Sequence, residues 1–182
     1  TSLFASSDFD GSMFVWKNLP DESGAAPDVI YHFCRYQNEE TARRHQCEGR
    51  FSPWDNTLHG DTFALAGRDR LMIWTELPLE GNLPAYDFEG GIGTVRFDEL
   101  TGVAMDDTYF YVADKRADVV HVWAGIPDGT HDPVATLSVS RPNRLSSDGT
   151  WLAVNSTADG GTQVFRVDQI VSSGSSSTLG GA

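Results

Sequence analysis

The sequence predicts an all-β protein, a β-propeller of four-stranded antiparallel blades, and three observations carry that reading. The first is a phrase present three times: Trp16-Lys17-Asn18-Leu19-Pro20, Trp74-Thr75-Glu76-Leu77-Pro78 and Trp123-Ala124-Gly125-Ile126-Pro127. Each copy follows a short apolar run, so it reads as a strand that ends in an aromatic residue and is broken by proline. A degenerate fourth copy, Gln163-Val164-Phe165-Arg166-Val167, follows the strand-like Trp151-Leu152-Ala153-Val154. The second observation is the period. The equivalent aromatics Trp16, Trp74, Trp123 and Phe165 are 58, 49 and 42 residues apart, the drift that loop insertions impose on a fixed strand core, and repeats of this length mark propeller blades. The third is the make-up of one unit. Thr101–Met105, Tyr109–Asp114, Val119–Trp123 and Val134–Val139 are four strands separated by turn residues, and the middle two are apolar at nearly every position, as strands buried on both faces are. A β-sandwich also has short, regularly spaced strands, but it does not require a repeated strand-end phrase.

Taken in chain order, Ser2–Asp8 aligns with the second strand of a unit, so the first blade begins without its inner strand. A long connection of about residues 32–59 separates it from the second unit, whose central loop is shortened at Ala66-Gly67-Arg68-Asp69-Arg70. Gly90-Gly91-Ile92-Gly93 is a bend between blades. After the third unit, the fourth runs to Val167, which completes a third strand. The blades therefore occupy residues 1–171, and the Ser/Gly-rich residues 172–182 have the composition of a flexible tail or linker.

Two stretches resemble the NHL-repeat propellers. In one, Val112-Ala113-Asp114 leads to Val120-His121-Val122-Trp123-Ala124-Gly125-Ile126-Pro127; in the other, Arg141-Pro142-Asn143-Arg144-Leu145-Ser146-Ser147-Asp148-Gly149-Thr150 leads to Leu152-Ala153-Val154. The first unit, Phe14–Pro20 continuing through Gly24–Ile30, is similar to a form common in bacterial members. The fourth unit departs from the pattern, with Asn155 where an Asp is expected. The resemblance implies a larger ring, commonly six-bladed, of which about four blades are present here. An open arc exposes two apolar faces, so either these four units close on themselves as a small four-bladed ring, or a missing segment, a protein partner or a second copy supplies the other blades of the larger ring that the resemblance implies.

At 182 residues, 40% hydrophobic and 11% aromatic, the chain has material for a substantial core, and no apolar run reaches the length of a membrane span. It opens at Thr1 with no initiator Met, a start shared by processed secreted proteins and excised fragments, and an extracellular or periplasmic location is expected. Asp and Glu number 26 against 13 Lys and Arg, a formal net charge of −13. Such a surface repels phosphate backbones, so no nucleic-acid partner is expected. It suits solvation or high salt, and it also suits divalent cations. Asp8, Asp10, Asp69, Asp114, Asp118 and Asp159 fall in the turns that a closed ring gathers at one face, where oxygen ligands from several loops can hold Ca²⁺. Turn chemistry is the favoured alternative, since Asp10-Gly11-Ser12 and Ala158-Asp159-Gly160-Gly161 are good turn sequences without any ligand, and no cofactor is required by the sequence.

The connection over 32–59 holds Cys34 and Cys47, the only two cysteines. An even count outside the cell favours a disulfide; a Cys₂His₂ site with His32 and His45, or two unpaired thiols, are the alternatives. Arg43, Arg44, Arg50, Trp54 and His59 put cationic and aromatic groups on an acidic molecule, and Arg43, Arg44, Trp54 and His59 are the candidate ligand contacts. A bland reading pairs Arg43 and Arg44 with Glu39 and Glu40 on a short helix. His121, inside a strand, is expected to be packed, and His131, in a turn, to be exposed. Asn155-Ser156-Thr157 fits a glycosylation sequon. No nucleophile elbow, phosphate loop or zinc-protease helix is present. The function expected is a non-enzymatic recognition or structural module; the alternative is a metal-dependent propeller enzyme, a lyase or lactonase-like hydrolase, with a cation in the channel.

Overall fold

A computed structural model describes residues 2–7, 11–33 and 51–172. Sixteen strands and one helix follow one another along these residues. Sheet 1 consists of β1 (Leu3–Ser7), β2 (Ser12–Trp16) and β3 (Val29–His32); sheet 2 of β4 (Asp55–His59), β5 (Thr62–Gly67), β6 (Arg70–Trp74) and β7 (Tyr86–Glu89). A small hairpin, β8 (Gly91–Ile92) and β9 (Val95–Arg96), leads to sheet 3, built from β10 (Leu100–Met105), β11 (Tyr109–Asp114), β12 (Val119–Ala124) and β13 (Ala135–Ser138). Sheet 4 holds β14 (Pro142–Ser147), β15 (Trp151–Ser156) and β16 (Gly161–Arg166), and is followed by α1 (Val167–Ser172). Every pairing within the four sheets is antiparallel between chain neighbours, the up-and-down blade of a propeller.

The repeated aromatic occupies one place in all four sheets. Trp16 lies opposite Leu3, Trp74 opposite Phe63, Trp123 opposite Phe110 and Phe165 opposite Leu152. Because side chains alternate across a strand, each central pair of strands presents one apolar row to the preceding sheet and another to the next. Phe63, Leu65, Met72 and Trp74 meet Met13 and Val15 of sheet 1. Ala64, Ala66, Leu71 and Ile73 meet Val103, Phe110, Val112 and Trp123 of sheet 3. On the far side of sheet 3, Tyr111, Ala113, Val120 and Val122 pack on Leu152, Val154 and Phe165 of sheet 4. The first strands β4, β10 and β14 lie together at the hub, where Gly102 meets the backbone of Asn143 and Thr101 donates to the Pro142 carbonyl at 2.8 Å.

Burial separates the inner sheets from the outer ones. Strands β5 and β11 are buried along nearly their whole length, whereas β15 alternates buried and accessible residues. Half-alternation is the signature of a sheet with one open face. Among the described residues, apolar clusters fill the three junctions between consecutive sheets, and none joins sheet 4 to sheet 1.

One position recurs with three different chemistries. In sheets 2, 3 and 4 the last residue of the second strand faces the segment that enters the same sheet, fifteen or sixteen residues upstream. In sheet 3 this residue is Asp114, fully buried, whose carboxylate accepts the amides of Asp98 at 2.8 Å and Glu99 at 3.0 Å. Sheet 4 has Ser156 there, donating to the Ser140 carbonyl at 2.7 Å. Sheet 2 has Gly67, whose Cα lies so close to the incoming chain that a β-carbon would stand 1.9 Å from the Ser52 carbonyl oxygen.

Three sequence expectations are revised. The counterpart of Asp114 is Ser156, not Asn155, because Ser156 pairs with Gly161 as Asp114 pairs with Val119. Val167 does not complete a strand: β16 ends at Arg166, and Val167 opens α1, which buries Val167 and Ile170 against sheet 3. Both ends of the long connection are strand, His32 closing β3 and His59 closing β4. Among the described residues sheet 1 has three strands.

Gly67→Ala and Gly102→Ala, whose β-carbons would each lie 1.9 Å from a backbone oxygen, should each lower stability by about 1–3 kcal/mol or more through forced backbone displacement. Gly161→Ala, with no atom within 4 Å of the added carbon, should stay within about 0.5 kcal/mol of the parent. Urea denaturation of the three variants checks the contrast.

Candidate interaction surface at the hub

The turns between second and third strands, and the segments that enter each sheet, share one face of the molecule. Trp54 stands at the centre of it, just before β4, held through its amide to the Ala66 carbonyl at 2.9 Å. On one side a cavity of about 490 Å³ is walled by Trp54, Arg68, Asp69, Phe97, Asp98, Glu99 and Arg116. On the other, Trp54 also borders a cleft with Ser6, Pro53, Asn143 and Arg144. Lys115 places its ammonium 5.9 Å from the Trp54 ring centre, within reach of the ring's negative face. Glu99 ties down the cations, meeting Arg116 at 2.8 Å and Lys115 at 3.5 Å.

Beneath Trp54, Asp55 joins three sheets. Its carboxylate accepts the Val103 amide of β10 at 3.0 Å and pairs with Arg144 of β14. Burial pushes its pKa above the usual carboxylate value even though Val103 and Arg144 pull the other way. The described residues with left-handed backbone other than glycine, Arg68, Asp118 and Arg141 (φ 53, 57 and 46°), all belong to this face. Such backbone is uncommon outside Gly, Asn and Asp, and it fixes two guanidinium-bearing residues in the turns. Arg68, Lys115, Arg116, Arg141 and Arg144 thus gather on one side of a protein whose net charge is −13.

The residues singled out from sequence are divided between places. Trp54 lies at the hub face, but His59 closes the same strand at the opposite end and pairs with Asp107 of the β10–β11 turn at 2.8 Å. A five-residue strand separates such ends by about 15 Å, so Trp54 and His59 do not form one site. Arg43, Arg44, Cys34, Cys47, Asp8 and Asp10 lie outside the described residues. Of the remaining acids, Asp69 is exposed in the two-residue β5–β6 turn. Asp118 accepts the Arg141 amide at 2.7 Å, Asp159 sits beside Ser156, and Asp114 accepts Ala117 as well as Asp98 and Glu99. Asp159 and the Asp114–Ala117 bond serve local turns, while Asp114 and Asp118 also hold the segments entering sheets 3 and 4. Among the described residues, no group of three or more His, Cys, Asp or Glu is placed to hold a metal ion. Sequence reasoning passed over Asp55, Arg68, Glu99 and Arg116, which nothing in their local sequence distinguishes from solvated charge.

No protein-family model matches the chain, and no curated protein does. Solved structures do. The chain is similar to a chain of the Chaetomium thermophilum Polycomb Repressive Complex 2 bound to GSK126 (15% identity, TM-score 0.58, covering 92% of this chain and 40% of that one). It is similar to a chain of the Mitotic Checkpoint Complex (12% identity, TM-score 0.60, 92% and 45%). A putative 6-phosphogluconolactonase from Bacteroides uniformis is also similar (13% identity, TM-score 0.59, 92% and 50%). At such identities the likeness concerns fold. The chain is an all-β propeller arc of about four blades, and it spans half or less of the length of these solved chains. No helix among the described residues is long and apolar enough to cross a membrane.

The raised pKa of Asp55 fixes the sign of its pH dependence. The folded chain holds this proton more tightly than the unfolded one, so its contribution to stability grows as pH falls toward the unfolded value of 3.8 and shrinks as pH rises. Asp55→Asn should therefore lose ground against the parent as pH falls toward 3.8 in urea titrations. Asp55→Ala, which leaves the Val103 amide without its acceptor, should cost about 1–3 kcal/mol at neutral pH.

Proposed function

We propose that this chain is a non-enzymatic propeller module of the NHL-like kind, which binds protein partners and works within a larger ring. One observation carries the reading. Trp16 holds in sheet 1 the place from which Trp74 and Trp123 pack on the sheet before them, yet among the described residues no sheet covers the face it belongs to with Leu3, Phe14 and Ile30. Leu3 is 37% and Ile30 45% exposed, and at the far end Trp151 and Val164 of sheet 4 are 45% and 59% exposed. Faces of this composition are interfaces. Further β-sheets, supplied by a partner or a second copy, fit there, and the hub face that Trp54 borders serves recognition. Two of the structural neighbours come from the Polycomb Repressive Complex 2 and the Mitotic Checkpoint Complex, which supports an assembly role.

A metal-dependent enzyme is the second reading, supported by the likeness to a putative 6-phosphogluconolactonase. It calls for hub carboxylates with an open position toward a cation, and Asp114, Asp118 and Asp55 are engaged with backbone amides or Arg144. Calcium titration followed by calorimetry separates the two, since only the enzyme reading needs the ion.

Replacing Leu3 and Ile30 together with Glu should leave unfolding within about 0.5 kcal/mol of the parent, as exposed substitutions do. The same change should abolish association of the chain in light scattering. A parent chain that is monomeric at every concentration and stable with these faces bare contradicts the ring-completion reading.

A further inference from the structure

The repeated tryptophans differ in one respect. Trp16 donates its indole N–H to the Ala25 carbonyl at 3.0 Å and Trp74 to the Asn82 carbonyl at 2.9 Å, each acceptor lying in the loop that leads to the outer strand. Trp123 has the same place in sheet 3 and is 1% exposed, but its buried Nε1 has no partner among the described residues. The loop that should supply a carbonyl is held elsewhere. Asp128 accepts the Thr130 amide at 2.9 Å and its hydroxyl at 2.7 Å, and Asp132 accepts the amide and hydroxyl of Thr94, on the β8–β9 hairpin, at 3.1 and 2.8 Å. Beside this loop lies a cleft of about 550 Å³, bordered by Trp123, Ile126, Pro127, Thr130, His131 and Val134.

A buried donor without an acceptor is costly, and a ligand supplying the acceptor recovers that cost. In the other two blades the acceptor is a main-chain carbonyl, so the chemistry that fits is a peptide carbonyl. Ile126, Pro127 and Val134 offer an apolar seat for an aliphatic side chain. Asp128 and Asp132 put two negative charges on the rim; hydrogen bonds from Thr130 hold Asp128 down to about 2, and those from Thr94 lower Asp132, so both are ionised at neutral pH. Alongside runs β13, the outermost strand of sheet 3, an edge onto which an extended chain can add. We propose that this cleft binds an extended peptide segment with an aliphatic residue followed by Lys or Arg, its main-chain carbonyl accepting from Trp123 Nε1. This site is distinct from the hub surface and from the open faces of sheets 1 and 4.

The five tryptophans give separate indole N–H signals in a ¹H–¹⁵N spectrum, assignable through the backbone of the full chain. On titration with the capped peptide acetyl-Gly-Leu-Lys-Gly-amide, the Trp123 signal should move downfield while those of Trp16 and Trp74 stay in place. The Glu counterpart of the peptide should bind more weakly. Val134→Glu, on the half-exposed rim, should weaken binding at least about tenfold by displacing the aliphatic seat. A Trp123 signal unmoved at millimolar peptide, equal movement of all three signals, equal binding of the two peptides, or an undiminished Val134→Glu would each overturn the proposal.

Discussion

Sheets 2, 3 and 4 are each fixed where the chain enters them, at the end of the second strand. An up-and-down blade needs its inner strand seated at the hub, yet that strand is reached by a connection from the rim of the preceding blade, and hydrogen bonding within the sheet does not dictate the path of the approach. The position occupied by Gly67, Asp114 and Ser156 supplies the missing restraint. A carboxylate that accepts two incoming amides, a hydroxyl that donates to a carbonyl, and a bare Cα against which the backbone lies all produce the same path. The inner strands follow from it, and with them the packing of β10 against β4 and β14 and the reach of Asp55 across three sheets.

That restraint also explains why the charged residues of the hub face do the work they do. Asp114 is buried because the chain wraps over it. Lys115 and Arg116, immediately after it, are carried back over Glu99 and Trp54. The cationic and aromatic surface is therefore a by-product of how the blade closes, and it lies beside the axis where a propeller offers a concave face. The Asp55 carboxylate, held by Val103 and Arg144, sets the spacing of the sheets beneath it.

Much of the fold was legible because its signals are local. The Trp-x-x-x-Pro phrase marks the same strand end each time, and continuous apolar runs in β11 and β12 announce sheets covered on both sides. Strand β4 was hidden because Asp55-Asn56-Thr57-Leu58-His59 has one large apolar residue, Leu58, and that one is 49% exposed; it is a strand through pairing with β5, not through its side chains. The helix over Val167–Ser172 was missed because six residues following a strand pattern carry too little periodicity to declare a turn of helix. For the site, Trp54 was visible as an aromatic on an acidic molecule. The roles of Asp114 and Asp118 were not, since an acid at a strand end reads alike as a cation ligand and as an amide acceptor, and only the tertiary path of the entering segment decides between them.

Native-state amide hydrogen exchange at Asp98 and Glu99 tests the entry restraint most directly. Both amides precede β10 and lie outside any sheet ladder, so their protection reports the Asp114 carboxylate. The account predicts that both exchange as slowly as the amides of β11, and that Asp114→Ala releases them ahead of the rest of sheet 3. Rapid exchange of both in the parent chain, or protection that survives Asp114→Ala, would contradict it.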